Sequence, residues 1–293
     1  MNSSRTFNYF SLMKSCAQLI RANKPIGTYL LLWPALSALF LATDGFPTWR
    51  LLIIFCIGAW LVRSGGCAIN DFWDRNLDQH VDRTKERPLA KGLLKPHQAI
   101  IITLILFLCA AILALQLNQL SWIVAIIAAI LTTLYPLAKR VTHFPQVLLG
   151  ITFNSGIIIA FTAIQNTIPS YAWLFYIANV LFTLAYDTAY AIVDQKDDIN
   201  IGIGSTAILM GKHAADLIMT ADLIAFSILL YLGFKINLGS AYFVLLLLAS
   251  FVCFWLHIQH GQQQSQTSAF SIFTNHHIIL LLIFIGIVLS TSL

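Results

Sequence analysis

The stretch "NDFWDRNLDQHVDRTKE" sets five acidic side chains, Asp71, Asp74, Asp78, Asp82 and Glu86, within sixteen positions directly behind an apolar run. Four more, Asp187, Asp194, Asp197 and Asp198, close another apolar run far downstream. An α-helix takes about 3.6 residues per turn, so carboxylates three or four positions apart share a stripe. Asp71, Asp74, Asp78 and Asp82 do so if their helix continues through them, and Asp187, Asp194 and the pair Asp197/Asp198 repeat the pattern. Like charges so placed repel, more strongly beside a low-dielectric slab, so positive charge belongs between them. Arg75, Arg83, Lys85 and Arg87 are interleaved with the first cluster, yet the stripe itself carries almost only acids and Asn70. That donor set suits a hard cation better than ion pairs. Mg²⁺ binds through a few carboxylates, keeps several waters and commonly bridges to substrate phosphates. One charge run alone is more often a solvated loop; two matching runs at one membrane depth favour a site.

The elements that must hold these residues are membrane helices. The 293 residues are 58% hydrophobic and 10% charged, with a mean hydropathy of +0.79, whereas soluble domains are about a quarter charged. A helix needs about 20 mostly apolar residues to span a bilayer. Nine such runs are expected, at 27–43, 51–70, 98–117, 119–137, 146–164, 170–193, 214–234, 238–257 and 277–293. They are continuously apolar rather than alternating, which excludes a barrel. The expected fold is all-α: an integral membrane protein with about nine transmembrane helices in one bundle around a central cavity, the whole of 1–293 forming a single domain. Residues 1–26, with Arg5, Lys14, Arg21 and Lys24 and no apolar core, read as a basic interfacial segment and not as a cleavable signal peptide.

Of the 17 basic residues, four lie in that segment, six between the second and third runs, two after the fourth and two after the sixth. Only Arg50 and Lys235 fall on the opposite side, and Arg63 lies inside the second run. The positive-inside rule then puts the N-terminus and both acidic clusters in the cytoplasm and the C-terminus outside. The net charge of +5 reflects this topology and contact with anionic lipid, with no nucleic-acid partner implied. Cys16, Cys56, Cys67, Cys109 and Cys253 show no paired spacing and read as packing residues. "GQQQSQTS", 261–268, reads as a polar loop.

Two further features stand out. Arg63 shares a helix face with Asn70 but lies two turns, about 10 Å, deeper. An arginine at that depth needs an anion or a wet cavity. It could take a carboxylate or phosphate of a substrate, or be neutralised structurally by Asp222. Tyr135 and Lys139 stand one turn apart at the cytoplasmic end of the fourth run, where a lysine could also simply snorkel.

"NDFWDRNLD" (Asn70 to Asp78) and "YDTAYAIVDQKDD" (Tyr186 to Asp198) resemble the paired aspartate motifs of the UbiA-type intramembrane aromatic prenyltransferases. "NKPIGTYLLLWP", "ERPLAKG", "YPLAKR" with "FPQ", and "IGIGSTA" are similar to the branch that acts on 4-hydroxybenzoate, so the likeness covers about residues 20 to 210. The resemblance implies a multi-pass protein of the bacterial inner membrane, capped by the loops after the second and sixth spans. It implies that Asp71, Asp74, Asp78, Asp194, Asp197 and Asp198 hold Mg²⁺ on the diphosphate of a polyprenyl diphosphate donor. The catalytic set it implies is Asp71, Asp74, Asp78, Asp194 and Asp198; the substrate-binding set is Asn70, Arg63, Lys24, Tyr135, Lys139, Arg140, Tyr186 and Asp187. The prenyl group would join the ring carbon ortho to the hydroxyl of 4-hydroxybenzoate, releasing pyrophosphate, as in ubiquinone biosynthesis. Trp33, Trp60, Tyr135, Tyr186 and Tyr190 are aromatic faces that could stabilise an allylic cation. Gln195, Lys196, Asn200 and Gly204 depart from the branch's pattern, replacing an arginine, an aspartate and two lysines. Alternative acceptors are naphthoate, homogentisate, and haem or chlorophyll precursors. A membrane transporter is the rival from another class, although transporters place their binding groups near the midplane on broken helices.

Overall fold

In the computed structural model, which describes residues 9–292, the chain is a succession of helices. These are α1 (Tyr9–Leu19), α2 (Ile26–Thr43), α3 (Trp49–Asp74), α4 (Pro96–Ala114), α5 (Gln119–Leu134), α6 (Pro145–Phe153), α7 (Ser155–Gln165), α8 (Ser170–Ile201), α9 (Thr206–Met210), α10 (Ala214–Lys235), α11 (Ser240–Gln263) and α12 (Gln266–Thr291). Short 3₁₀ segments follow α3, α5 and α9. Among the described residues nine spans are long and apolar enough to cross a membrane: α2, α3, α4, α5 with its 3₁₀ extension, α6 with α7, α8, α9 with α10, α11 and α12. The nine expected runs are all present. Residues 1–8, including Arg5, lie outside the described residues; α1 occupies the middle of the N-terminal segment, burying Leu19 and exposing Phe10 and Met13.

Three boundaries differ from the hydropathy reading, each for a local reason. The helix α12 begins at Gln266, not near 277, because Ser265 caps it: its Oγ accepts from Ser268 N at 3.1 Å. The polar 261–268 stretch therefore shrinks to a turn at Gln264, which adopts φ +44°. The sixth span runs to Ile201, carrying the second acidic cluster as helix rather than loop, and stops where Gly202 takes φ +71° and returns its N–H to Asp198 O. The fifth span breaks at Asn154, whose Nδ2 donates to Gly150 O at 2.8 Å and Thr183 Oγ1 at 2.9 Å, tying the break to α8.

Successive helices pack as neighbours, and α12 returns against α2 to close the ring. A continuous apolar core runs from Leu30 and Leu39 on α2 through Phe175 and Phe182 on α8 to Ile279 and Ile283 on α12. The helices α4 and α5 turn most of their apolar side chains outward, including Leu104, Leu108, Ile126 and Ile130, as lipid-facing helices do. The closed ring leaves one end of α3, α5, α8 and α9 free to assemble the polar residues around a hollow.

Candidate active site

The last turn of α3 delivers Asp71 and Asp74, both essentially fully buried. The helix then ends, so the single four-carboxylate stripe expected from spacing does not form. Asp78 opens a 3₁₀ turn and Asp82 points to solvent, its side chain 87% exposed and paired with Lys85 at 2.6 Å. The reason is tertiary: the segment 75–95 folds back and buries Val81, Thr84, Leu89 and Leu94. That packing fixes a lid and turns Arg83 and Arg87 inward. Arg87 Nη1 donates to Asp71 Oδ1 at 3.1 Å and Asp78 Oδ2 at 2.9 Å, and Arg21 Nη2 donates to Asp71 Oδ1 at 2.7 Å. Burial would lower the Arg87 pKa, but Asp71 and Asp78 outweigh it and hold the guanidinium above its ordinary value. Burial pushes the Asp78 carboxyl up, against the pull of Arg87.

The opposite wall is the end of α8, where Asp187, Asp194 and Asp198 share a face as their spacing predicts. Arg83 spans the two walls: its Nε and Nη2 donate to Asp194 Oδ1 and Oδ2 at 2.8 and 2.5 Å, and its guanidinium lies 4.5 Å over the Tyr190 ring. The Asp82 backbone N–H donates to Asp197 Oδ2 at 3.1 Å, so both acidic segments are bonded to each other. Lys139, on the 3₁₀ extension of α5, donates to Asp74 Oδ2 at 2.5 Å. The "IGIGSTA" loop seats against this extension. Gly204 N donates to Lys139 O at 2.8 Å, and a Cβ at Gly204 would lie only 2.5 Å from Thr142 O, so the departure from lysine leaves no room for any side chain. Gln146 Oε1 accepts from Thr206 N at 3.1 Å and Thr206 Oγ1 lies 2.6 Å from Thr188 Oγ1, which ties "FPQ", "IGIGSTA" and "YDTAY" into one scaffold.

These walls enclose a cavity of about 270 Å³. The expectation that the carboxylates lack basic partners is corrected: Asp71, Asp74, Asp78 and Asp194 each meet a lysine or arginine. Spacing could not reveal this because Arg21 and Lys139 come from segments 50 and 65 residues away. A hard divalent cation nonetheless fits the donor set. Asp71 Oδ2 and Asp74 Oδ1 are buried without any hydrogen-bond partner, and Asn70, Asp187 and Asp198 line the cavity with no side-chain hydrogen bond among the described residues. Open carboxylate oxygens on both walls, buried at Asp71 and Asp74 and half-buried at Asp187 and Asp198, are what such an ion takes up.

Deeper in the cavity lie Arg63, Tyr135 and Tyr186. Arg63 Nη1 contacts Cys67 Sγ at 2.5 Å and its guanidinium sits 5.5 Å over the Phe153 ring. The proposed structural partner is excluded, since Asp222 is engaged by His257 at 2.8 Å and His276 at 3.2 Å. Phe153 also lines a second cavity, of about 300 Å³, whose walls are apolar residues of α2 to α7 such as Ala35, Ile54, Ala59, Phe107 and Ile126. One ring thus separates a charged chamber from an oily one.

The structure brings together at the cavity Arg63, Asn70, Asp74, Asp78, Tyr135, Lys139, Tyr186, Asp187, Asp194 and Asp198, with Asp71 behind Arg87. Lys24 is exposed, Asp197 bonds the lid from outside the cavity lining, and Arg140 is exposed with Nη2 donating to Trp73 O at 2.5 Å. Among the aromatic candidates Tyr135, Tyr186 and Tyr190 line the cavity; Trp60 faces outward, 41% exposed, and Trp33 stacks on Tyr29 and Phe284. Arg21, Phe153 and Phe273 line it without having been singled out. No local signal marks them, because their partners come from other helices.

A family model described as "UbiA prenyltransferase family" matches residues 31–287. A 4-hydroxybenzoate octaprenyltransferase of Aliivibrio fischeri (strain MJ11) is 43% identical over 271 residues, 92% of this chain and 94% of that protein. One of the same name from Pseudomonas entomophila (strain L48) is 43% identical over 276 residues, 94% and 93% of the two chains. Among solved structures, an apo UbiA homolog from Aeropyrum pernix K1 superposes with a TM-score of 0.78 at 22% identity, covering 89% of this chain and 97% of that one. A UbiA homolog from Archaeoglobus fulgidus bound to GPP and Mg²⁺ gives 0.73 at 14% identity, covering 94% and 99%. At those identities the likeness is one of fold.

Proposed function

This chain belongs to the UbiA prenyltransferase family, and we propose that it transfers a polyprenyl group from polyprenyl diphosphate to the ring carbon ortho to the hydroxyl of 4-hydroxybenzoate, in ubiquinone biosynthesis. The observation that carries this reading is the pairing of a cavity holding acids and bases in equal measure with an adjoining apolar cavity, joined at Phe153. A prenyl diphosphate has that division of chemistry, and the relatives that match over nine-tenths of the chain are named for octaprenyl transfer to 4-hydroxybenzoate.

In this reading Arg21, Arg83, Arg87 and Lys139 receive the diphosphate, exchanging carboxylate partners for phosphate oxygens. Asp71, Asp74 and Asp78 on one wall and Asp194 and Asp198 on the other would hold Mg²⁺. When bound, the ion neutralises charge gathering on the departing diphosphate. Tyr135, Tyr186 and Tyr190 offer π faces to the allylic cation left as the C–O bond breaks, and the lid keeps water from capturing it. Asp187, between Tyr186 and Tyr190, accepts a hydrogen bond from the acceptor hydroxyl. The ring carbon then forms the new C–C bond and passes its proton to the departing pyrophosphate, which restores the aromatic ring. Purified protein given 4-hydroxybenzoate, a prenyl diphosphate and Mg²⁺ should yield prenylated 4-hydroxybenzoate and pyrophosphate in equal amounts. Prenylation of naphthoate or homogentisate in its place would reassign the acceptor, and absence of any product would favour a carrier.

The lid and the end of α8 lie in the cytoplasm in this reading, with residue 292 across the bacterial inner membrane, since nine spans place the ends on opposite sides. Single-cysteine labelling in intact cells should find residues 90 and 205 inside and the C-terminus outside. Labelling of residue 90 from the outside would invert the topology.

A further inference from the structure

Behind the active-site wall, Asp222 of α10 is fully buried against α11 and α12. Its Oδ2 lies 3.2 Å from Cys253 Sγ and 2.8 Å from His257 Nε2, and its Oδ1 lies 3.2 Å from His276 Nε2. One oxygen of Asp222, the Cys253 sulfur and a His257 nitrogen all fall within 4.8 Å of one another. Prenyl transfer uses none of these residues, and four metal-ligating side chains inside a membrane bundle are costly unless something holds them together.

We propose that Asp222, Cys253 and His257, with His276 as the fourth ligand, bind a borderline-soft divalent cation of the zinc class. The donors decide the class. One sulfur, two imidazole nitrogens and one carboxylate oxygen form a set that zinc accepts in tetrahedral geometry and that Mg²⁺ disfavours. This is the opposite selectivity to that of the carboxylate oxygens in the cavity next to it. Cys253 and His257 stand at i and i+4 on α11, one above the other on a single face. Asp222 and His276 approach that face from the two helices packed on it.

His276 supplies an independent indication. Its Nδ1 lies 2.9 Å from Ile272 O, a carbonyl that only accepts, so that nitrogen carries a proton and Nε2, 3.2 Å from Asp222 Oδ1, is the atom left to take either a metal or a second proton. A backbone carbonyl on the far nitrogen is how ligating histidines are commonly oriented. A lone pair facing a carboxylate oxygen requires a cation between them, either a metal or a second proton on the ring. With a zinc-class ion, the Asp222 carboxylate and a Cys253 thiolate cancel the double charge, so the site is neutral in the low-dielectric bundle. Bond lengths of about 2.0 to 2.3 Å set tetrahedral donors about 3.5 Å apart; the Asp222 contacts with Cys253 and His257, at 3.2 and 2.8 Å, lie within about 0.7 Å of that spacing, whereas His276, outside the group of three donors that lie within 4.8 Å of one another, has to swing inward to complete the set. Cys253, a thiol donor to Asp222 in the metal-free cluster, releases its proton to the solvent as the metal–sulfur bond forms, and the ion pins α10, α11 and α12 together.

The test uses full-length protein without a polyhistidine tag, stripped of metal in detergent and titrated with Co²⁺. One equivalent should bind with thiolate-to-cobalt charge-transfer absorption and the intense visible bands of a tetrahedral site. Zn²⁺ should displace it, an excess of Mg²⁺ should not, and Zn²⁺ should raise the melting temperature of the wild type. Cys253→Ser should lose the charge-transfer band, His257→Gln should shift the titration to higher Co²⁺, and Asp71→Asn, at the other site, should keep the band. Folded wild type that takes up no cobalt with a thiolate signature overturns the proposal and leaves a protonated Asp–His pair. So does a band that survives in folded Cys253→Ser. If both cluster variants fail to fold, the wild-type spectrum and its Zn²⁺ melting shift decide alone.

Discussion

Asp71→Asn is expected to lower the prenyl-transfer rate by about 10³-fold, since a metal-held charge on the leaving group contributes several kcal/mol and each 1.36 kcal/mol is tenfold. Excess EDTA should stop the wild-type reaction and added Mg²⁺ should restore it. The substitution is chosen because asparagine keeps the Oδ1 acceptor that Arg21 and Arg87 use. What it loses is charge, and the second oxygen, Oδ2, that has no protein partner. Asp194→Asn should have a similar rate defect from the other wall, although there the substitution also weakens the bidentate contact with Arg83. Two roles for Asp71 are separable. If it serves only to neutralise Arg21 and Arg87, the variant should melt at lower temperature while its Mg²⁺ requirement stays where it was. If it holds the metal, the Mg²⁺ concentration for half-maximal rate should rise sharply, with a melting temperature close to that of the wild type. A folded Asp71→Asn protein turning over near the normal rate would remove the carboxylate from the reaction.

The carboxylates were readable from sequence because their spacing is local. Asp187, Asp194 and Asp198 keep helical register to the end of α8, and the structure places them on one face. The limits of that reasoning show at Asp78 and Asp82. The spacing of the aspartates puts Asp78 and Asp82 on the stripe only if the helix continues past Asp74, but burying Val81, Thr84 and Leu89 outweighs further turns of helix, and the lid folds back. The cations were invisible for a related reason. Arg21, Arg83 and Lys139 reach their carboxylate partners across 50, 111 and 65 residues of chain, so no window of sequence contains both members of a pair. Their convergence also bears on the motif departures at Gln195, Lys196, Asn200 and Gly204. Gln195 donates to Ala207 O at 3.1 Å and Gly204 packs against the Thr142 carbonyl, so both positions serve the scaffold while positive charge is supplied from the turn after α1, the lid and the extension of α5. The cysteines are free, as their unpaired spacing implied, but the contact of the Cys253 thiol with Asp222, 31 residues earlier, lies beyond any local window.

Arg63→Ala is expected to raise the Michaelis constant for 4-hydroxybenzoate about ten- to a hundredfold, because a charge-assisted hydrogen bond in a dry pocket contributes roughly 1.5–3 kcal/mol. The donor constant should change little. The reason lies in where the positive charges sit. Arg21, Arg83, Arg87 and Lys139 are gathered at the aspartates, whereas Arg63 lies two turns deeper on α3, beside Cys67 and over the Phe153 ring. With Asp222 held by His257 and His276, no carboxylate among the described residues forms an ion pair with Arg63, Asp187 facing it only across the cavity, and a guanidinium without a direct ion-pair partner favours an anion that arrives with substrate. The acceptor brings one carboxylate and the donor's prenyl tail brings none. A phenol lacking the carboxylate should therefore react equally well, or equally poorly, with wild type and Arg63→Ala. If Arg63 instead holds the diphosphate, the donor constant or the turnover number should suffer and the uncharged phenol should be hit as hard as 4-hydroxybenzoate. Measuring both constants in folded Arg63→Ala separates the cases, and an unchanged constant for 4-hydroxybenzoate would move the acceptor's carboxylate elsewhere in the cavity.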